Sequence, residues 1–107
     1  MPQFIYSLLP TRLEMLTVGP EREAEVVRQH FEHLQGLTAA GVVLVAGRTQ
    51  TADERTYGIV VFVAQSEASA RQLMAEDPAV KHGVMRAELS PFRVALWSST
   101  GPNDAGA

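Results

Sequence analysis

Two segments of the chain are apolar at every position rather than at alternate positions. Val42–Val45 and Ile59–Val63 are both of this kind, and each has the length of a strand. A strand in an antiparallel sheet with one solvated face alternates apolar and polar side chains. Both faces of these two strands must therefore be covered, which limits the chain to folds that bury a sheet on both sides.

The segments around these runs predict the element order βαββαβ. A long helix begins at Gly19-Pro20, where proline suits the first turn, and ends before Gly41. A second helix has Ser66 as its N-cap, and Asp77-Pro78 interrupts it. The predicted strands are Phe4–Leu9, Val42–Ala46, Tyr57–Ala64 and Val84–Leu96, the second helix is Glu67–Glu76, and a short turn spans Pro78–His82.

This order predicts an α+β fold, the ferredoxin-like βαββαβ sandwich. With right-handed crossovers, two helices cover one face of a four-stranded antiparallel sheet. Strands two and four lie at the edges of such a sheet, where Pro91 is tolerated. The length of 107 residues suits one domain, which we assign to residues 1–97, with a flexible C-terminal tail at residues 98–107.

The second face of the predicted sheet has no cover within the chain. The two helices cover one face, and no remaining segment is long enough to cover the other. A second copy of the chain is the natural cover, so we expect a homodimer whose sheets pack face to face. The alternative is a monomer with a large apolar face, which is rare unless that face binds something.

The first helix carries a histidine on its predicted apolar face. Apolar residues recur there at steps of three and four, which indicates one stripe. At 100° per residue, His30 falls inside this stripe and His33 on its polar margin. The residues predicted to face inward are Val27, Phe31, Leu34, Leu37 and Thr38 on the first helix and Ala68, Leu73 and Met74 on the second.

Composition excludes several classes of function. The chain has no cysteine, which excludes disulfides, thiolate catalysis and cysteine zinc sites. Its net charge is −3 and it has no basic run, which argues against nucleic-acid binding. Arg55–Phe62 partly matches a strand of RNA-recognition domains, but Ile59 stands where a stacking aromatic is expected. Because no signal peptide or membrane helix is recognisable, we expect a soluble, cytoplasmic protein without a membrane partner.

Several short stretches together resemble the YCII-related family. They occur in the family's order over about residues 3–96, and their combination is more specific than any one of them. The resemblance implies the dimeric α/β barrel fold, and it implies small, mostly uncharacterised bacterial proteins. The stretches are Arg28–Leu37, Gly41, Ala46-Gly47, Glu76–Val80, Gly83-Val84 and Ser90–Phe92.

The resemblance also implies where a site lies. A histidine and the aspartate of an Asp-Pro pair are thought to form a site in the family, and they correspond here to His30 and Asp77. Members of the wider superfamily are similar to muconolactone isomerases, chloromuconolactone dehalogenases and monooxygenases that need no cofactor. No cofactor is expected here. Many family members have proline after the Ala-Gly, where this chain has Arg48.

Each candidate residue also has a structural interpretation. His30 and Asp77 are the candidate catalytic pair, because an imidazole exchanges protons near pH 7 and a carboxylate orients it. A core histidine and a helix N-cap are the alternatives. Arg48 is a candidate to bind an anionic group, a carboxylate or an enolate, or it is a solvated charge. Tyr6 and Tyr57 are candidates to bind substrate in a cavity between the sheets, or they make core or dimer contacts.

The remaining histidines point to structural roles. His82 lies in the last turn before Gly83, where a cation suits the helix dipole. His30 and His33 have the i, i+3 spacing of a helical metal pair, but no third ligand is evident. We therefore expect no metal site.

Two classes of function remain open at this point. In the first, the chain is an enzyme for a small organic molecule, with a pocket between the sheet and the first helix. His30 then moves a proton next to a carbonyl group, as in an isomerase or a lyase, and Asp77 orients it. In the second, the chain is a homodimer that binds a ligand or another protein without catalysis.

Overall fold

A computed structural model describes residues 1–11, 20–53 and 55–102 of the chain. Seven elements follow one another in these ranges, and they confirm the predicted βαββαβ order, with the predicted short turn at Pro78–His82 forming a one-turn helix before the last strand. The predicted connection at Thr11–Val18 and the helix start at Gly19 lie almost wholly outside the described residues. The elements are β1 Gln3–Pro10, α1 Pro20–Ala39, β2 Val43–Arg48, β3 Gly58–Val63, α2 Glu67–Glu76, α3 Pro78–Lys81 and β4 Met85–Phe92.

The four strands form one antiparallel sheet in the order β2-β3-β1-β4. The predicted edge positions of β2 and β4 are confirmed, and Pro91 lies in the edge strand β4. This is the ferredoxin-like fold, the protomer architecture of a dimeric α/β barrel. The prediction that β4 reaches Leu96 is wrong, because β1 begins at Gln3, which pairs with Phe92, and offers no partner beyond it.

One face of the sheet packs against the helices. Phe4, Tyr6 and Leu8 alternate along β1 as buried residues, and their neighbours on β3 include Val60 and Phe62. The ring of Phe62 lies 5.9 Å from that of Phe4 and 5.6 Å from that of Tyr6. Helical residues complete this core, with Leu34 and Ala70 buried and Leu37, Leu73, Met74 and Val80 packed against it.

The other face of the sheet carries the alternate residues of the same strands. Ile5, Ile59 and Val63 are half-buried there, Val61 is buried and Val45 is exposed. The described helices lie on the opposite side, so this face is apolar with no helix over it. That a second copy covers it stays a prediction.

The inward face of α1 is rotated from the predicted one. Val27 is 41% exposed and Phe31 is 64% exposed, so their assignment to the core is wrong. Val26 faces inward instead, beside His30 and Leu34, which the predicted stripe also contained. Steps of three and four fit both stripes, and packing against the sheet and α3 selects the one that runs through Val26.

Other helix predictions have mixed outcomes. Ala68 is exposed rather than inward, and Ala70 takes its place. Thr38 is also exposed, and its hydroxyl donates to the carbonyl of Leu34. Gly41 ends α1 as predicted, with a φ of 79°. Within the described ranges, no helix combines the length and apolar character needed to cross a bilayer.

Candidate functional site

Asp77 lies between α2 and α3 because of the proline that follows it. A residue before proline is disfavoured in the helical region, and Asp77 is extended, with φ −60° and ψ 124°. Pro78 then begins α3, and Oδ1 of Asp77 accepts a hydrogen bond from the backbone N–H of Ala79 at 3.0 Å. The structural interpretation of Asp77 as an N-cap is therefore confirmed.

The carboxylate of Asp77 also meets side chains from two other elements. Nδ1 of His30, on α1, lies 2.6 Å from Oδ1, and the hydroxyl of Tyr6, on β1, donates to Oδ2 at 2.7 Å. Asp77 and Tyr6 have no exposed surface, whereas the side chain of His30 is 16% exposed. The structure thus brings three of the candidate site residues together between the sheet and the helices.

Asp77 is ionised in spite of its burial. Burial by itself raises the pKa of this carboxyl, but the hydrogen bonds from His30 and Tyr6 lower it. The charge of a protonated His30 and the N–H of Ala79 lower it further, and together these contacts hold the pKa of Asp77 below its ordinary value of 3.8. The carboxylate therefore carries a full negative charge at neutral pH.

The ionised carboxylate determines the tautomer of His30. A carboxylate can only accept, so we assign the proton of the neutral ring to Nδ1, which donates to Asp77. Nε2 then carries a free lone pair, and it has no hydrogen-bond partner among the described residues. This nitrogen of His30 is therefore left without a partner from the described residues.

Two of the predicted substrate-binding residues lie apart from this cluster. Arg48 ends β2 and is exposed, and its side chain has no ion pair within the described residues. Tyr57 precedes β3 and is 48% exposed. Arg48 pairs across the sheet with Gly58, the residue that follows Tyr57, so Arg48 and Tyr57 are neighbours in the structure. Neither of their side chains hydrogen-bonds to His30 or Asp77.

Tyr6 occupies one of the two positions that the sequence left open. It faces the helices and not a cavity between sheets, so of the two interpretations of Tyr6 the core position is the one observed. Because it is fully buried, it also offers no surface for a base to stack on, as an RNA-binding strand would require. Sequence reasoning missed the Tyr6–Asp77 contact, which joins positions 71 apart along the chain.

A shallow groove lies on the helical side of the molecule, and its lining does not include the three cluster residues. It has a volume of about 410 Å³ and lies between the first half of α1 and the end of α3. His82, predicted at a helix end, is the C-cap residue of α3 and lines this groove. The other lining residues are Glu21, Arg22, Glu25, Val26 and Gln29.

His33 is less exposed than its predicted position on the polar margin implies. It is half-buried, and its Nε2 is buried with no hydrogen-bond partner among the described residues. No group of three or more metal-ligating side chains converges within the part of the chain that the structure describes.

Fold and cluster together define a class: an α+β protein of ferredoxin-like fold with a buried His-Asp-Tyr cluster between helices and sheet. The YCII-related domain model matches residues 6–93, and the chain belongs to this family. The match begins at Tyr6 and includes His30 and Asp77. No curated protein matches the chain.

A solved structure shares the fold. It is the 5-chloro-2-hydroxyhydroquinone dehydrochlorinase of Burkholderia phenoliruptrix, in complex with 2,5-dihydroxybenzoquinone. Its sequence is 18% identical, and the alignment covers 84% of this chain and 93% of that chain with a TM-score of 0.60. At this identity, the likeness establishes the fold.

Proposed function

We propose that the chain is an enzyme that moves a proton next to a carbonyl group of a small organic molecule. His30 is the general acid and base, and Asp77 orients it. The observation that carries the proposal is the 2.6 Å contact between Nδ1 of His30 and a fully buried, ionised Asp77. An ionised carboxylate in this position holds one tautomer and stabilises the imidazolium when it forms.

The chemistry needs only the free nitrogen of His30. Nε2 takes a proton from the carbon beside the carbonyl, which leaves an enolate and an imidazolium paired with Asp77. Return of that proton to another carbon completes an isomerisation. Alternatively, a leaving group departs with its bonding electrons from the carbon next to the deprotonated one, which completes an elimination. The imidazolium then releases its proton to solvent. Asp77 stays ionised throughout.

The structural neighbour supports a small, oxygenated ring as the ligand. That protein is a dehydrochlorinase, and its complex holds a dihydroxybenzoquinone. Loss of hydrogen chloride is an elimination, the same class of reaction that the His30–Asp77 pair can perform. We extend the proposal to Arg48, as the group that holds an anionic oxygen of the substrate, and to Tyr57 beside it.

A homodimer packed through the sheet faces is part of the proposal. Its support is the apolar face that carries half-buried Ile5 and Ile59 and exposed Val45, over which no described helix lies. Contiguous exposed apolar faces are rare on monomers that bind nothing. A cytoplasmic location, which fits a chain without cysteine, is likewise proposed.

Hydrogen–deuterium exchange into small carbonyl compounds tests the proposed reaction. The protein is incubated in D₂O with lactones, keto acids and hydroxylated cyclic ketones, and deuterium at the adjacent carbon is followed by NMR. We expect the wild-type protein to accelerate exchange into at least one compound. The variants are His30→Gln and Asp77→Asn, with His82→Gln as the control that removes an exposed imidazole.

The same experiment decides between the two classes of function. Loss of exchange in His30→Gln, with His82→Gln unchanged, supports the enzyme. If the wild-type protein binds compounds of the panel, as seen in a raised melting temperature, and exchanges none of them, the non-catalytic binding dimer is favoured instead.

A further inference from the structure

Tyr6 contacts the oxygen of Asp77 that His30 does not. The hydroxyl of Tyr6 donates to Oδ2 at 2.7 Å, whereas Nδ1 of His30 and the N–H of Ala79 both approach Oδ1. The donors come from β1, α1 and α3. Together they fix the plane of the carboxylate, so that Oδ1 stays turned toward the imidazole.

Tyr6 can act only as a donor in this cluster. Burial, then the negative charge of Asp77, then the hydrogen bond to Asp77 raise the pKa of Tyr6 well above its ordinary value of 10.0. The side chain has no exposed surface, so it does not touch a ligand. Any effect of Tyr6 on chemistry must therefore pass through Asp77.

We infer that Tyr6 is a positioning residue of this site, whose hydroxyl holds the carboxylate of Asp77 turned toward His30 and so sets the strength of the contact between carboxylate and imidazole. This inference rests on the proposed function of the His30–Asp77 pair. It gives Tyr6 a role distinct from the substrate contact that the sequence suggested.

The direction of the effect follows from how the carboxylate shares its charge. Without the hydroxyl, Oδ2 has no donor in a fully buried site, and the anion depends more on the imidazolium beside Oδ1. The protonated imidazole is then favoured. Among the described residues, His30 and Tyr6 are the titratable side chains that hydrogen-bond to Asp77.

An NMR titration of the imidazole signals tests the inference. Compared with the wild-type protein, we expect Tyr6→Phe to raise the His30 midpoint. Asp77→Asn moves it down, because the anion is gone. Tyr57→Phe is the matched control, since the Tyr57 hydroxyl has no hydrogen bond within the described residues. The signals of His33 and His82 serve as internal references.

A second measurement keeps the inference testable if Tyr6→Phe does not fold. Fluorotyrosine, incorporated in a Tyr57→Phe background, replaces Tyr6 alone and makes its hydroxyl a stronger donor. The His30 midpoint then moves down relative to the Tyr57→Phe protein with ordinary tyrosine. A merely structural role for Tyr6 predicts no movement in either experiment.

The outcomes separate the inference from the proposed function. If Asp77→Asn leaves the His30 midpoint in place, the pair is not coupled and both proposals are overturned. If Asp77→Asn lowers the midpoint and neither change at Tyr6 moves it, the pair stands and the role of Tyr6 is overturned.

Discussion

Asp77 serves the fold and the candidate site with the same carboxylate. Its Oδ1 caps α3 through Ala79 and also meets His30, and its Oδ2 accepts from Tyr6. Hydrogen bonds to a charged group contribute more than neutral ones, and a buried charge without them is costly. The charge of Asp77 is therefore tolerated only because its donors are in place.

The ionisation of Asp77 predicts a specific acid sensitivity. Its pKa is lowered in the folded protein, so its contribution to the free energy of unfolding is present above the unfolded value of 3.8 and is lost as pH falls below it. Asp77→Asn is expected to lower that free energy at pH 7 by about 2 kcal/mol and to flatten its decline below about pH 4. Urea unfolding across this range measures both effects.

Asp53 provides the control for this prediction. Its pKa is also lowered, by hydrogen bonds from Arg55, but both residues lie at the surface. Exposed pairs of this kind contribute little to stability, so Asp53→Asn should follow the wild-type profile. Equal acid profiles for wild type and Asp77→Asn would contradict the buried, ionised carboxylate.

The sequence predicted the pair of His30 and Asp77, but it did not predict that Tyr6 contacts Asp77. His30 and Asp77 were found through the family resemblance and the Asp-Pro pattern. The contact of Tyr6 with Asp77 depends on the strand order, which places β1 at the centre of the sheet under α1 and α3. No local pattern in the sequence carries that information, so the sequence left Tyr6 open between a core position and a cavity between the sheets.

The elements illustrate how far periodicity can be trusted. The helix ends and the break at Asp77-Pro78 were predictable because caps and prolines act locally. The strand order was predictable because crossovers are right-handed. The inward face of α1 was not, because Val27 and Phe31 satisfy the same spacing as the observed stripe. Tertiary packing decides between two stripes that the helix itself cannot distinguish.

Two glycines near the end of α1 give opposite predictions for the same substitution. Gly41 has a φ of 79°, where a side chain is strained, so Gly41→Ala should lower the free energy of unfolding by about 1 kcal/mol. Gly36 lies within the helix with open space around it, so Gly36→Ala should raise it by about 0.5–1 kcal/mol. Urea denaturation of both variants measures the difference, and shifts of the same sign would contradict the observed helix end.

The two faces of the sheet differ in what covers them, and in the proposed dimer each chain supplies half of the layered structure. One sheet face is covered by helices, and the other carries Ile5, Ile59 and Val45 with no described helix over it. The strand patterns predicted this covering requirement from the sequence, since neither run alternates. The strand patterns could not identify what covers this face. A strand buried on both sides is apolar at every position, whether a helix, a second copy of the chain or another partner covers it.

Solution mass tests the arrangement of the whole molecule. Analytical ultracentrifugation of the wild-type protein should give a mass of twice the 11.6 kDa of one chain. Ile59→Lys should lower the measured mass to that of one chain, because it places a charge in the interface. Phe31→Lys is the matched control, since Phe31 is an exposed apolar residue on α1, away from that face. A wild-type mass of one chain would contradict the dimer.

The rate of carbon deuteration by His30→Gln, relative to the wild-type protein, tests the central proposal most directly. A general acid–base group contributes about 10²- to 10⁴-fold, so we expect a loss in that range on a compound that the wild-type protein deuterates. The His82→Gln control should keep the wild-type rate. If His30→Gln deuterates the same compound at the wild-type rate, His30 is not the acid–base group and the proposed function is wrong.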